Sequence, residues 1–187
     1  PIISGAELME KVIVTLNIGG TTFSSALFNQ GLGRIGRSEL GLIANFSNKE
    51  NLIAGLQSQL ENLLKENNLS LKDVKGLGIS APGPLDSGKG MILETPNLIF
   101  LQNTNICNDM ENRLKIPVFL ENDANLFSWG EWQESWPNEQ VLVGVTLGSG
   151  LGFGVIINGS LFRGAHGMAA EYGISPVEWG AWEDEVS

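Results

Sequence analysis

A strand, a glycine turn and a second strand occur twice in this chain, and that repeat limits the fold more than any other feature. The early copy runs from Lys11 to Ile18, turns at Gly19-Gly20 and resumes from Thr22 to Phe28. The late copy runs from Val141 to Leu147, turns through Gly148-Ser149-Gly150 and resumes from Gly152 to Ile157. β-Branched runs broken by glycine read as hairpins. Asn158-Gly159 is a further hairpin signal, leading into Ser160 to Phe162. The repeat predicts two similar α/β units facing each other across a cleft, the second one incomplete within these residues.

Between the two copies the pattern alternates strand and helix. A third strand is expected over Arg34 to Ile43, after a turn at Gly31 and Gly33. Ser47-Asn48-Lys49-Glu50 has capping-box spacing, and Leu52, Ile53, Leu56, Leu60, Leu63 and Leu64 then recur with helical period. Val74 to Ser80 reads as a buried strand ended by Ala81-Pro82-Gly83-Pro84. Asn108 to Leu114 predicts a second helix, Pro117 to Leu120 a strand, and Ala124 to Trp132 a third helix.

The chain has 187 residues, 42% of them hydrophobic and 17% charged, with a formal net charge of −10. A sizeable core is therefore available, and the composition is globular. The negative charge argues against nucleic acid as a partner, because few cations are present to neutralise a phosphate backbone. A single nucleotide is not excluded, since backbone amides and magnesium can hold its phosphates. Cys107 is the only cysteine and His166 the only histidine, so no internal disulfide or Cys-rich zinc site can form. No apolar run approaches the roughly 20 residues of a membrane helix, and the expectation is a cytoplasmic protein without a membrane partner. Met9 is expected to be the native start, preceded by an appended or trimmed leader.

Three segments offer chemistry. Asn17-Ile18-Gly19-Gly20-Thr21 places side-chain-free residues and a hydroxyl at a hairpin tip, where backbone can approach a phosphate. Alone, it reads as a tight turn sooner than as an anion site. Thr146-Leu147-Gly148-Ser149-Gly150-Leu151-Gly152-Phe153-Gly154 exposes amides in the same way, and Phe153 stands where a dinucleotide fingerprint needs its last glycine. Glu121-Asn122-Asp123-Ala124-Asn125 lies between a strand and a helix. A carboxylate there is favoured as the anion by the helix dipole and suits accepting a proton from a polyol. The competing reading is a simple helix cap. Gly83-Pro84-Leu85-Asp86-Ser87-Gly88-Lys89-Gly90 nearly matches a P-loop, but Gly90 replaces the required Ser or Thr and no helix follows. It is expected to be a surface turn.

The order of these strings resembles the ROK family of sugar kinases, in the superfamily that also holds hexokinase and actin. The resemblance extends over Asn17–Thr21, Gly76–Asp86, Thr95–Leu98, Glu121–Asn125, Thr146–Gly150, Ile157–Gly167 and Ala170–Gly173. It implies a two-domain actin-like ATPase (ribonuclease H-like) fold with mixed sheets. An N-terminal α/β domain is expected over 9–118, and the start of a C-terminal one over 119–187. It implies ATP-dependent phosphorylation of a hexose or N-acetylhexosamine hydroxyl, glucokinase-like, with Asp123 as general base. Gly19, Gly20 and Thr21 match the first phosphate loop; Thr146, Gly148, Ser149 and Gly150 match the second. Gly83, Pro84, Asn122, Asp123 and Glu171 match positions that lie against the sugar, with Glu183 aligned more loosely. ATP and magnesium are the implied cofactors and a homodimer the implied assembly.

Two departures stand out. Asn17 occupies a position where the family usually has Asp, which helps to place magnesium, so weaker metal binding is expected. Ile174 stands where most members have a His that binds sugar and structural zinc, and the cysteines of the zinc motif are absent. A zinc-free branch is therefore expected, with Trp179 and Trp182 filling the volume, and His166 is expected to be a loop residue. The family resemblance also implies roughly a hundred further residues, comparable to a small domain, carrying much of the adenine site. A sugar-binding regulator and an inactive kinase-like protein are the alternative readings.

Overall fold

The computed structural model describes residues 11–96, 98–148, 150–164, 167 and 169. Strands β1 (Val12–Ile18) and β2 (Thr22–Phe28) form the first antiparallel hairpin. Val12, Val14, Leu16 and Ile18 are buried while Ile13, Thr15 and Asn17 are not, so the two-residue period commits one face to the core. The expected third strand is split into β3 (Arg34–Arg37) and β4 (Gly41–Leu42), both paired to β2, and a 3-10 turn takes Ile43–Asn45. The cause is local. The Ser25 amide donates to the Ser38 hydroxyl (2.9 Å) instead of a strand carbonyl, which interrupts the ladder.

Helix α1 (Lys49–Glu66) buries all six aliphatic residues that the periodicity selects. Its cap is Asn48 rather than Ser47: the Asn48 side chain accepts from the Asn51 amide at 2.9 Å. Strand β5 (Val74–Ala81) then pairs with β1 in parallel. After it, β6 (Leu85–Asp86), β7 (Met91–Ile92) and β8 (Thr104–Asn105) make a small antiparallel sheet that periodicity did not signal, because its strands have two residues each. The P-loop lookalike, Gly83 to Gly90, takes in β6 and the turn that leads to β7.

Helix α2 (Ile106–Leu114) starts two residues before the expected position, capped by the Asn105 side chain. It ends on Lys115 in the left-handed conformation (φ 57°), just ahead of Pro117. Ion pairs Glu50–Arg113 and Lys49–Asp109 tie α2 to α1. Strand β9 (Val118–Asn122) closes the main sheet in the order β3-β2-β1-β5-β9, parallel to β5. The division expected after residue 118 thus falls inside β9, a strand of the first sheet.

Helix α3 (Asp123–Ser135) leads into β10 (Val141–Leu147), β11 (Leu151–Ile157) and β12 (Ser160–Leu161). Asn158 and Gly159 both have positive φ (50° and 72°), as a type I′ hairpin requires. The side chains that α3 buries are small: Ala124, Asn125 and Ser128. They fit because Gly144 and Gly154 are cross-strand partners beneath Ser128, and a Cβ on Gly154 would lie 2.6 Å from the Ala124 carbonyl oxygen. A Cβ on Gly152 would lie 2.8 Å from the Ala124 Cβ. These glycines serve close helix packing.

Gly154→Ala is expected to cost about 1–3 kcal/mol through overpacking. Gly130→Ala, where an added Cβ meets nothing within 4 Å, should gain about 0.5–1 kcal/mol as a helix substitution. Urea unfolding of both variants checks the contrast.

Candidate functional site

Parallel strands β1, β5 and β9 all end at one edge of the main sheet. Asn17 on β1 is in register with Ser80 on β5, and Ser80 is in register with Glu121 on β9. Neighbouring strands are about 4.8 Å apart, so these three polar side chains form one short row on a single face. Ligands of open α/β sheets bind beyond the carboxyl ends of the strands. A cavity of about 1110 Å³ opens there, taking in Asn17, Ser80, Glu121 and Asp123. Phe119, Leu126, Phe127 and Trp129 give it an apolar wall, and Ser87 and Arg163 also line it.

Asp123 is the first residue of α3, and the capping role belongs to its neighbour. Asn122 accepts from the Asn125 amide at 3.1 Å. Asp123 Oδ1 accepts from the Ala124 amide (2.8 Å), and no side chain among the described residues donates to this carboxylate. The residue is solvent-exposed through the cavity, yet the surrounding walls desolvate the carboxyl and raise its pKa above the ordinary 3.8, against the lowering effect of the Ala124 hydrogen bond. The exposure keeps the energetic consequence small.

Glu121 is differently placed. Its Oε1 accepts from the Ser87 hydroxyl (3.2 Å), the Asn122 amide (2.9 Å) and the Asn125 side-chain amide (3.0 Å). Its Oε2 accepts from Arg163 Nε at 2.8 Å and from Arg163 Nη2 at 2.7 Å. Glu121, Ser80, Ser87 and Arg163 were not among the sequence candidates. The register with Asn17 is the signal that points to Ser80 and Glu121, and it exists only once the strands are paired.

The remaining candidates stand at the rim or beyond. Gly19 donates to the Thr22 carbonyl (2.7 Å) and closes the hairpin two residues past Asn17, leaving Gly20 and Thr21 exposed. Gly148 and Gly150 are exposed at the second tip, where an added Cβ meets nothing within 4 Å. Thr146 is half-buried beside Gly152. Gly83 and Pro84 do not line the cavity; the Pro84 carbonyl accepts from the Leu93 amide (3.0 Å) and the Thr95 hydroxyl (3.3 Å), which anchors that segment to the small sheet. Ser149, Glu171 and Glu183, and with them His166, Ile174, Trp179 and Trp182, lie outside the described residues. Cys107 is remote from this chemistry: burial pushes its thiol up to about 11, which leaves it protonated and unreactive.

Residues 13–183 match the ROK family. The chain belongs to the ROK family. It is 32% identical over 170 residues to a glucokinase of Thermotoga maritima, covering 89% of this chain and 51% of that one. It is 34% identical over 139 residues to a xylose repressor of Caldicellulosiruptor bescii, covering 74% of this chain and 34% of the repressor. A ROK glucokinase from Streptomyces griseus, solved in complex with glucose and AMPPNP, superposes with a TM-score of 0.76 at 26% identity, over 89% of this chain and 51% of that chain. This ROK chain thus spans about a third to a half of the length of the curated relatives named here. The fold is the actin-like ATPase architecture of ROK sugar kinases. No helix among the described residues is long and apolar enough to cross a membrane.

A carboxyl with a raised folded-state pKa favours the fold most when protonated, so its stabilising effect is present below the unfolded value and is lost as pH rises through the folded one. Asp123→Asn removes that loss. Its stability at neutral pH should match the parent within about 0.5 kcal/mol, and carbon-13 NMR of the parent should show Asp123 titrating above 3.8.

Proposed function

We propose that this chain carries the sugar cleft and the general base of an ATP-dependent kinase for a hexose or N-acetylhexosamine, glucokinase-like in its chemistry. The observation that carries the reading is the difference between the two acidic groups of the cavity. Glu121 is occupied by protein donors, whereas Asp123 meets no donor side chain among the described residues and lines the cavity beside the sheet edge. Asp123 accepts the proton of the sugar hydroxyl as that oxygen bonds to phosphorus and the bridging oxygen leaves with ADP. Its raised pKa, caused by desolvation, makes it a stronger base than an ordinary carboxylate. Desolvation by the apolar wall strengthens its hold on the hydroxyl. Asn122, Glu171 and Glu183 are the further sugar contacts in this reading, with Gly83 and Pro84 supporting that side of the cleft.

The two hairpin tips fit a polyphosphate. Gly20, Thr21, Gly148 and Gly150 are exposed there, and an added Cβ at Gly148 or Gly150 meets nothing within 4 Å. In this reading Gly19, Gly20, Thr21, Thr146, Gly148, Ser149 and Gly150 hold the phosphates of ATP. ATP supplies the phosphoryl group, and magnesium offsets its charge. In this reading magnesium accompanies the phosphates near Asn17. Residues 9–118 and 119–187 are read as the two flanking units, with β9 passing from one to the other as the last strand of the first sheet, in a cytoplasmic homodimer. The xylose-repressor relative supports a second reading, a sugar sensor without turnover.

A coupled ADP-release assay on the complete gene product with glucose, N-acetylglucosamine and N-acetylmannosamine separates the two. Turnover with one of these is the expected result; sugar binding without turnover favours the sensor. Asp123→Asn should lower kcat by about 10²–10⁴-fold with little change in sugar affinity. Asn17→Asp should lower the magnesium concentration for half-maximal rate, and an unchanged dependence would remove Asn17 from the metal site.

A further inference from the structure

Glu121 sits two residues before Asp123 and has a side chain only 12% exposed. A carboxylate offers about four lone-pair sites, and the donors already described fill them. They come from separate parts of the chain: the turn after β6, the start and first turn of α3, and the segment after β12. Two of them bracket Asp123 directly, the Asn122 amide before it and the Asn125 side chain after it. The fork of Arg163, itself half-exposed, adds a link from beyond β12. Bidentate geometry of this kind fixes orientation as well as position.

We propose that Glu121 and Arg163 are a positioning pair that sets the first turn of α3, and with it Asp123, against the segment following β12. The proposal rests on the reading of Asp123 as the base. Glu121 itself contacts no substrate, because its acceptor capacity is spent within the protein. Arg163 orients Glu121, and Glu121 orients the backbone on both sides of Asp123. The charged groups lining the cavity among the described residues are Glu121, Asp123 and Arg163. Removing the cation therefore leaves Glu121 as an uncompensated anion near Asp123; removing the Glu121 charge leaves an uncompensated cation there. These two changes push the titration of Asp123 in opposite directions.

The test uses Arg163→Met, Arg163→Lys and Glu121→Gln in the complete gene product, each first shown to keep the parent's melting behaviour. Arg163→Met should lower kcat by about 10- to 100-fold, the scale of a misplaced catalytic group, while leaving the KM for nucleotide unchanged. Arg163→Lys, which keeps one charged donor, should recover part of the loss. The acid limb of the rate profile should move to higher pH in Arg163→Met and to lower pH in Glu121→Gln. A structural tie alone would move neither limb in opposed directions, and that outcome overturns the proposal.

Two measurements stand apart from turnover. Carbon-13 titration of Asp123 should show the same opposed shifts in the two variants. Hydrogen exchange should speed up in Arg163→Met at residues 122–125 as well as at 160–164. Exchange that changes at 160–164 alone, with Asp123 titrating as in the parent, refutes the pair. If the parent phosphorylates no sugar, the base reading fails, and these two measurements still decide the positioning claim.

Discussion

The site depends on one constraint, the parallel register of β1, β5 and β9. Parallel strands need a crossover between them, and here α1 and α2 supply the crossovers on the face that holds the core. Once the strands run the same way, their carboxyl ends meet at a single edge, and residues far apart in sequence become neighbours. Asn17, Ser80 and Glu121 owe their proximity to that register alone. A one-residue slip of β5 would turn Ser80 to the opposite face and bury it where Ile79 and Ala81 now pack. The buried aliphatic residues of β5 therefore hold the polar row in place.

The second hairpin shows how one residue type answers two demands. Gly148 and Gly150 stand in open space at the tip, available to an approaching anion, while Gly144, Gly152 and Gly154 let α3 lie on the strands. The two groups are continuous in sequence, so spacing alone assigns them one purpose. The consequence for Asp123 is direct. Because Ala124 rests against Gly152 and Gly154, the start of α3 is pressed on β11, and Asp123 is carried to the cavity by backbone packing rather than by a hydrophobic stripe.

Much of this was legible in the sequence where a two- or 3.6-residue period reports burial. The bounds of β2 and β10 match the alternating runs, and the buried face of α1 is the one its leucines mark. The failures have particular causes. Ser38 breaks a strand through a side-chain hydrogen bond, and Asn48 outcompetes Ser47 for a cap. Two-residue strands leave no period at all. Within the site, Asp123 was readable as a carboxylate at a helix start, but Glu121 was not separable from it. What distinguishes them is the number of donors each receives, and two of the residues that donate to Glu121, Ser87 and Arg163, come from outside its own segment.

Charge finally narrows how such a site can hold a polyphosphate. The chain carries a net charge of −10, and among the described residues lining the cavity the only Lys or Arg is Arg163, already paired with Glu121. A cation spent on a carboxylate contributes little further attraction to an incoming anion. Under the proposed reading, affinity for a nucleotide would come from backbone amides and from the metal it brings, both of which act at short range and in defined directions. Glycine at the hairpin tips suits that proposal, since bare backbone lets several amides converge on one phosphate group. The same electrostatic poverty makes a charge change at Asn17 consequential, because few other groups there can compensate for it.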